Sequence, residues 1–245
     1  MQVSQDVLAV LSDASIADNA VALTAQLDRS LYTRTNKMLE AAGGKWNRKA
    51  KAHLFDSDAG DRIDQIILTG SIDIPKDEFN YFPTPPAVVA RLVELAEVEA
   101  NSQVLEPSAG RGAILSAFRG LAFLHAIELQ ADNAAALQAL GWLDSVREAD
   151  FLTVKPEPIY DRVVMNPPFL KQSDVRHVLH AHQFLKPGGQ LTAVMSAGVT
   201  FRENALTQGF RALVENRGGH IEPLPENSFK QAGTGVNTVV AVIPA

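Results

Sequence analysis

A chain of 245 residues is long enough for one full domain and a modest appendage, and its 46% apolar and 20% charged residues exclude a mainly disordered chain. No apolar run approaches the roughly 18 residues of a membrane span, and no basic start with an apolar block marks a secretory signal. The absence of cysteine excludes disulfides, thiolate zinc sites and cysteine nucleophiles, and it fits a cytoplasmic protein.

Residues 1–28 show helical spacing (Val7, Leu8, Leu11, then Val21, Leu23, Leu27) and predict one or two short helices. A further helix is expected over 30–42, stopped by Gly43-Gly44. Strand-like stretches follow at 52–55 and 65–68, and the polar stretch 71–81, with Pro75, reads as a linker. From Tyr81 the pattern changes. Thr84-Pro85-Pro86 is a helix start, with Thr84 as cap and prolines where a first turn leaves donors unpaired. Strands are then predicted at 103–106, 122–129, 146–149, 162–165, 190–195, 220–224 and 236–243. Helices are expected at 113–119, 131–140, 175–185 and 203–216, with Pro187-Gly188-Gly189 ending the third. This alternation implies an α/β, Rossmann-like, mostly parallel sheet with helices on both faces over residues 80–245. Residues 1–75 form a small, mainly helical N-terminal extension. Ligands of such sheets bind beyond the carboxyl ends of the strands.

The segment from Val104 through Glu106-Pro107-Ser108-Ala109-Gly110-Arg111-Gly112 is strand, glycine turn, helix. Gly110 and Gly112 permit tight turning and close approach of a ligand. A nicotinamide fingerprint needs a third glycine where Leu115 stands. Glu106 would repel a pyrophosphate but suits an ammonium group. Glu128, followed by Leu129, ends the second strand 22 residues later, where an acid can accept from both ribose hydroxyls. Asp150-Phe151 follows the third strand: a carboxylate for an adenine amino group beside a ring able to stack on it. An amine, a ribose and an adenine without a phosphate clamp describe S-adenosylmethionine.

The most specific signal is Asn166-Pro167-Pro168-Phe169, after the fourth strand. Two prolines fix the backbone and remove two donors, leaving carbonyls as acceptors. The Asn166 side chain and the Pro167 carbonyl can hold both hydrogens of a planar exocyclic amine and bring its nitrogen towards tetrahedral geometry, while Phe169 can stack on a base. Catalysis is then mainly alignment and electrostatics.

Phe82-Pro83-Thr84-Pro85, Glu106 to Gly112, Glu128, Asp150-Phe151 and Asn166 to Phe169 stand in the order of class I S-adenosylmethionine-dependent amino-methyltransferases. The chain resembles most the DNA adenine-N6 group of phages and mobile elements, over roughly residues 80–243. The resemblance implies a seven-stranded sheet with the last strand antiparallel. It places Phe82, Thr84 and Pro85 by the methionine end of S-adenosylmethionine, Glu106 and the glycine turn around it, Glu128 on its ribose and Asp150-Phe151 at its adenine. It implies methyl transfer to adenine N6 of double-stranded DNA, with the base flipped out. The same turn serves glutamine-N5 and some guanine-N2 enzymes, so RNA, a protein glutamine, or nucleic-acid binding without catalysis are the alternatives. Only 76 residues follow Phe169, leaving no room for a large target-recognition domain and implying short or relaxed sequence preference.

Four features are set aside. His177, His180 and His182 read as a surface helix rather than a metal site. Gly233-Thr234-Gly235 reads as the entry to a final hairpin, and Trp142 as structural. Trp46 reads as a core residue of the small domain, with base stacking as the alternative. The net charge of −6 argues against a surface that coats nucleic acid throughout. It hides seven basic residues, Arg29, Arg34, Lys37, Lys45, Arg48, Lys49 and Lys51, set against Glu40 alone, a local +6. That run is either a solvated face or, with Lys45, Trp46, Arg48, Lys49 and Lys51 at its centre, a grip on DNA phosphates.

Overall fold

The computed structural model describes residues 2–56, 58–72, 83–229 and 237–245. Seven strands form the main sheet: β5 (Gln103–Pro107), β6 (Phe123–Glu128), β7 (Ser145–Glu148), β8 (Tyr160–Met165), β9 (Leu185–Ser196), β10 (His220–Pro223) and β11 (Thr238–Pro244). Their order is β10-β11-β9-β8-β5-β6-β7. β11 runs antiparallel to β9 and β10, while the β5–β6, β5–β8, β6–β7 and β8–β9 pairs are parallel.

The near-continuous apolar runs of β8, β9 and β11 are what strands covered on both faces require. Their side chains divide by the two-residue period of a strand. Val104, Leu124, Val164, Val194 and Val240 face α4 (Pro86–Ala96) and Leu137 of α5 (Ala131–Ala139). Leu105, Ile127, Val163, Met165, Ala193 and Val239 face α6 (Ser173–Ala181) and α7 (Ala205–Asn216).

The N-terminal part holds three helices, α1 (Gln5–Ser12), α2 (Arg29–Ala41) and α3 (Ala59–Thr69). It adds a four-stranded antiparallel sheet of β1 (Ser15–Ala17), β2 (Ala20–Ala22), β3 (Lys45–Asn47) and β4 (Ala52–Leu54), ordered β1-β2-β4-β3. Asp28 caps α2 by accepting from the backbone N–H of Ser30 and Leu31. Gly43, at φ 105°, turns the chain out of α2. At Gly44 a Cβ would lie 2.8 Å from the Phe55 ring, so only glycine lets the chain pass close to β4's exit.

Several expectations are corrected. Val21 lies in β2, not in a second helix, because the hairpin closed at Asp18 and Asn19 takes that segment into the sheet. Residues 65–68 belong to α3: Ile63, Ile66 and Ile67 follow a three-and-four spacing, and the Asp58 cap outweighs the β-branched run. The helix expected over 113–119 is a turn and a short 3-10 segment, Leu115–Phe118. Pro187-Gly188-Gly189 lies inside β9 as a bulge, between the pairings Tyr160–Leu185 and Arg162–Gln190. α4 is capped by Pro85 without a side-chain bond, so Thr84 is not its cap. Trp46 is 49% exposed and not a core residue. His177 is buried, while His180 and His182 bond the carbonyls of Val154 and Pro244, so this face of α6 packs against the protein. Trp142 is partly buried against the core with Arg119 over its ring, as a structural residue should be. Of the expected linker, residues 73–81 lie outside the described residues, as do Val236 and Gly233-Thr234-Gly235.

The N-terminal part is not a loose appendage. Its core residues Leu11, Leu39, Ile63 and Ile66 join one hydrophobic cluster with Leu92, Phe169 and Phe229. At the same boundary the buried Arg202, in the loop after β9, pairs with the buried Asp64 of α3 and donates to the Gly60 carbonyl at 3.0 Å. Removing one partner of a buried ion pair strands the other charge. Arg202→Ala is therefore expected to cost about 3–5 kcal/mol in urea unfolding. The double variant Arg202→Met with Asp64→Leu is expected to recover most of that loss.

Candidate active site

β5 lies between β6 and β8, and the chain leaves it towards β6 on one side and reaches β8 only after β7. That reversal opens a crevice at the strands' carboxyl ends. A cavity of about 410 Å³ occupies it, within the range of small-molecule sites. Thr84, Glu106, Ser108, Ala109, Gly110, Glu128, Leu129, Asp150 and Phe151 line it, and so do all four residues from Asn166 to Phe169. Three expected residues do not line it. Pro85 sits at the start of α4 and faces a different cavity. Pro107 ends β5. Gly112 packs against α5, where a Cβ would meet Leu137 at 3.0 Å. Phe82 lies outside the described residues.

Three carboxylates mark successive strand ends, each held differently. Glu106 is 2% exposed, and among the described residues its Oε2 accepts a single 3.3 Å bond, from the Leu115 N–H. Burial pushes its carboxyl well above the ordinary carboxylate range, the Leu115 bond opposes this, and Glu128 adds repulsion. Glu128 accepts from the Gly110 N–H at 2.7 Å and the Gln130 N–H at 2.9 Å, one on each oxygen. Gly110 adopts φ 55° to aim its N–H there. A carboxylate has about four acceptor sites, so Glu128 stays locked in place while retaining capacity for a pair of hydroxyls. Asp150 is exposed at the rim, with one oxygen engaged by the Leu152 N–H.

The aromatic residues are turned inward. Phe151 is buried among His177, His180 and Phe184. Phe169 is 3% exposed and packs edge to face on Phe229. The exposed walls beside Asp150 are instead Leu129 and Leu152, at 50% and 37% exposure. Large apolar side chains left open on either side of a carboxylate suit a flat ring with an amino edge.

Asn166, at the end of β8, donates from Nδ2 to the Thr84 hydroxyl at 3.0 Å, which orients the amide. Past Phe169 the chain passes through two left-handed residues, Lys171 (φ 55°) and Gln172 (φ 56°). Such backbone persists in non-glycine residues only when the surroundings fix it. Here Gln172 Oε1 accepts from Asn204 Nδ2 at 2.9 Å and from the Thr207 hydroxyl at 3.0 Å. Behind it the buried Asp174 accepts from the Ser196 and Val175 N–H groups. Burial raises the Asp174 carboxyl to about 6.

Sequence reasoning missed Lys171, Ser173 and His177, which also line the cavity. His177 is held through Nδ1 by the Ser173 carbonyl at 2.7 Å, and burial lowers its pKa. The signal was present in the three-residue spacing of His177 and His180, but without the partner elements it read as a solvated face. Among the described residues no His, Asp and Glu cluster could hold a metal ion.

This strand order, its one reversed strand and a carboxylate-ringed cavity at the switch point define the methyltransferase variant of the Rossmann-like fold. The methyltransferase small domain family matches residues 92–219, just over half of the sequence, and the chain belongs to that family. Its cofactor is S-adenosylmethionine. The structure is similar to the type I restriction-modification system methyltransferase subunit from Streptococcus thermophilus, with a TM-score of 0.57 and 22% identity over 66% of this chain. A dimethyladenosine transferase from Plasmodium falciparum gives a TM-score of 0.51 and 16% identity, covering 67% of this chain and 63% of its own. The chain spans 44% of the Streptococcus subunit's length. Among the described residues no helix is long and apolar enough to cross a membrane.

The cavity fits the cofactor of this class: one buried carboxyl without a full set of donors, one locked carboxylate with spare acceptors, and an apolar slot edged by a third. Because Glu106's folded pKa is raised, its contribution to stability is complete below its unfolded value of 4.5 and is lost as pH rises through the raised value. Glu106→Gln is expected to flatten the fall in unfolding free energy above pH 4.5, measured by urea titration of the ligand-free protein.

Proposed function

We propose that this chain transfers a methyl group to the N6 amine of adenine in double-stranded DNA, with the base flipped into the cavity. The observation that carries this reading is the Asn166 amide, fixed by Thr84 beside a double proline at the cavity's edge. Residues 80–245 form the transferring unit in this reading, and residues 1–75 an appended one.

When bound, S-adenosylmethionine supplies an electrophilic methyl carbon on its sulfonium. Glu106, buried at the cavity wall, would hold the ammonium of the cofactor. Glu128 accepts from the ribose hydroxyls, and Asp150 meets the adenine amino group between Leu129 and Leu152. Ser108, Ala109 and Gly110 form the floor. Asn166 Oδ1 and the Pro167 carbonyl accept the two hydrogens of the target amine, turning its lone pair out of the ring plane. Pro168 holds the turn, and Phe169 stacks on the target base only once its ring leaves Phe229. These groups act by alignment and fixed dipoles, so no strong base is needed before the amine carries positive charge. A restriction-modification subunit and a dimethyladenosine transferase share the fold.

Asn166→Ala is expected to lower the transfer rate by about 100-fold or more with cofactor affinity nearly unchanged. Wild-type turnover in that variant would end the alignment mechanism. Protein incubated with methyl-labelled cofactor and plasmid DNA, RNA or cell protein should label the DNA and yield N6-methyladenine on digestion. Label in RNA, in protein glutamine or in N4-methylcytosine would overturn the substrate assignment.

Cofactor affinity should also rise with pH, because occupancy by an ammonium requires Glu106 to lose a proton that burial makes it keep. Calorimetry across pH 5 to 8, on the order of three units, should show this dependence in the wild type and lose it in Glu106→Gln. Equal pH dependence in both would remove Glu106 from the ammonium site.

A further inference from the structure

The basic run between Arg29 and Lys51 is sorted by the structure into cations with internal work and cations without it. Arg34 is engaged by both carboxylate oxygens of Asp6, at the base of α1. Lys45 lies 3.8 Å from Asp56, a loose and exposed pair. Arg48, Lys49 and Lys51 have no acidic partner among the described residues, and all three are exposed in the turn joining β3 to β4. This turn is shaped in advance. Asn47 Oδ1 accepts from the N–H groups of Lys49 at 3.0 Å and Ala50 at 2.9 Å, and Lys51 completes it at φ 51°. Three like charges are thus held in one tight loop, an arrangement that costs stability through mutual repulsion and that an anion relieves.

On the same hairpin stands Trp46. It pairs across the strands with the buried His53, ring centroids 5.1 Å apart, and roughly half of the residue remains open to solvent. A cationic loop beside an open indole matches the two surfaces of nucleic acid, phosphate and stacked base.

The hairpin is tied to the cavity's edge through α3. Gly44 packs on Phe55, pinning the hairpin's base to the end of α2. β4 runs directly into α3, which packs on the 3-10 turn Leu170–Gln172 immediately after Phe169. The Arg202–Asp64 pair fastens α3 to the loop after β9. Two exposed lysines therefore belong to one continuous body: Lys49 on the hairpin and Lys171 on the cavity's edge.

We propose that the β3–β4 hairpin is a clamp for duplex DNA, in which Arg48, Lys49 and Lys51 take backbone phosphates beside the flipped nucleotide and Trp46 packs on the flanking base pair or sugar. This rests on the DNA reading above and adds the surface that reading lacks. Flipping a base costs a few kcal/mol, and phosphate contacts beside the site offset that cost without reading sequence. Grip through three phosphates gives affinity that falls steeply with salt and varies little between sequences.

The test is fluorescence anisotropy of a labelled 30-base-pair duplex containing adenine, over a salt series, with the full chain. Each phosphate contact contributes about 0.9 to the slope of log affinity against log salt. Arg48→Ala, Lys49→Ala and Lys51→Ala combined should reduce the slope by about 2 to 3 and weaken binding at least 10-fold on every sequence. Cofactor affinity should stay unchanged, and the thermal midpoint should not fall. Trp46→Ala should weaken binding with the salt slope kept. Unchanged affinity and slope in the triple variant, while the wild type binds and methylates DNA, would overturn the clamp and leave the proposed activity standing. A wild type that neither binds nor methylates the duplex would overturn the activity first. Tighter hairpin-dependent binding to single-stranded RNA of the same length would overturn the assignment to duplex DNA.

Discussion

The topological reversal at β5 is the constraint on which the remainder of the site depends. A parallel strand flanked by neighbours whose connections run to opposite sides leaves its carboxyl end uncovered. Every group assigned to chemistry stands on that edge: Glu106 from β5, Glu128 from β6, Asp150 after β7 and Asn166 from β8. Their separations along the chain are large, but their separations across the sheet are set by strand spacing alone. The alternating residues beneath them divide into two apolar layers, so the strand ends cannot shift without disturbing packing on both faces.

The two sides of the crevice are built on different principles. The β5–β7 side is an electrostatic surface, where backbone N–H groups lock one carboxylate and burial raises the pKa of another. The β8 side is a mechanical one. Two prolines, two left-handed residues and the bonds from Gln172 to Asn204 and Thr207 hold the turn. Binding and alignment are thereby separated, so a change in one side need not disturb the other.

Much of the sheet was legible because its signals are local. Apolar runs of strand length between helical stretches gave the main strands, and acids at strand ends gave three of the site's anchors. The strands of the small sheet, apart from 52–55, were not legible, because three-residue strands carry too few positions for a period to show. The same shortage hid the roles of Trp46 and His177. Whether an aromatic or a histidine is covered depends on the element that packs over it: His53 lies beneath Trp46, and α6 turns His177 inward. Thr84 was expected near the site, but its bond to Asn166 spans 82 residues and no spacing rule reaches that far. The inward turn of Phe151 and Phe169 was invisible for the same reason, and with it the apolar slot of Leu129 and Leu152.

The single hydrophobic cluster shared by the N-terminal helices and the sheet has a consequence for how the molecule can be divided. Phe169 and Phe229 lie in the same cluster as Leu39 and Ile63, so the turn from Asn166 to Phe169 rests partly on side chains from the first quarter of the chain. A boundary drawn through residues 71–81 separates two stretches of sequence but not two bodies. The seven-stranded sheet, transplanted without its companion, would present the back of the turn from Asn166 to Phe169 to water.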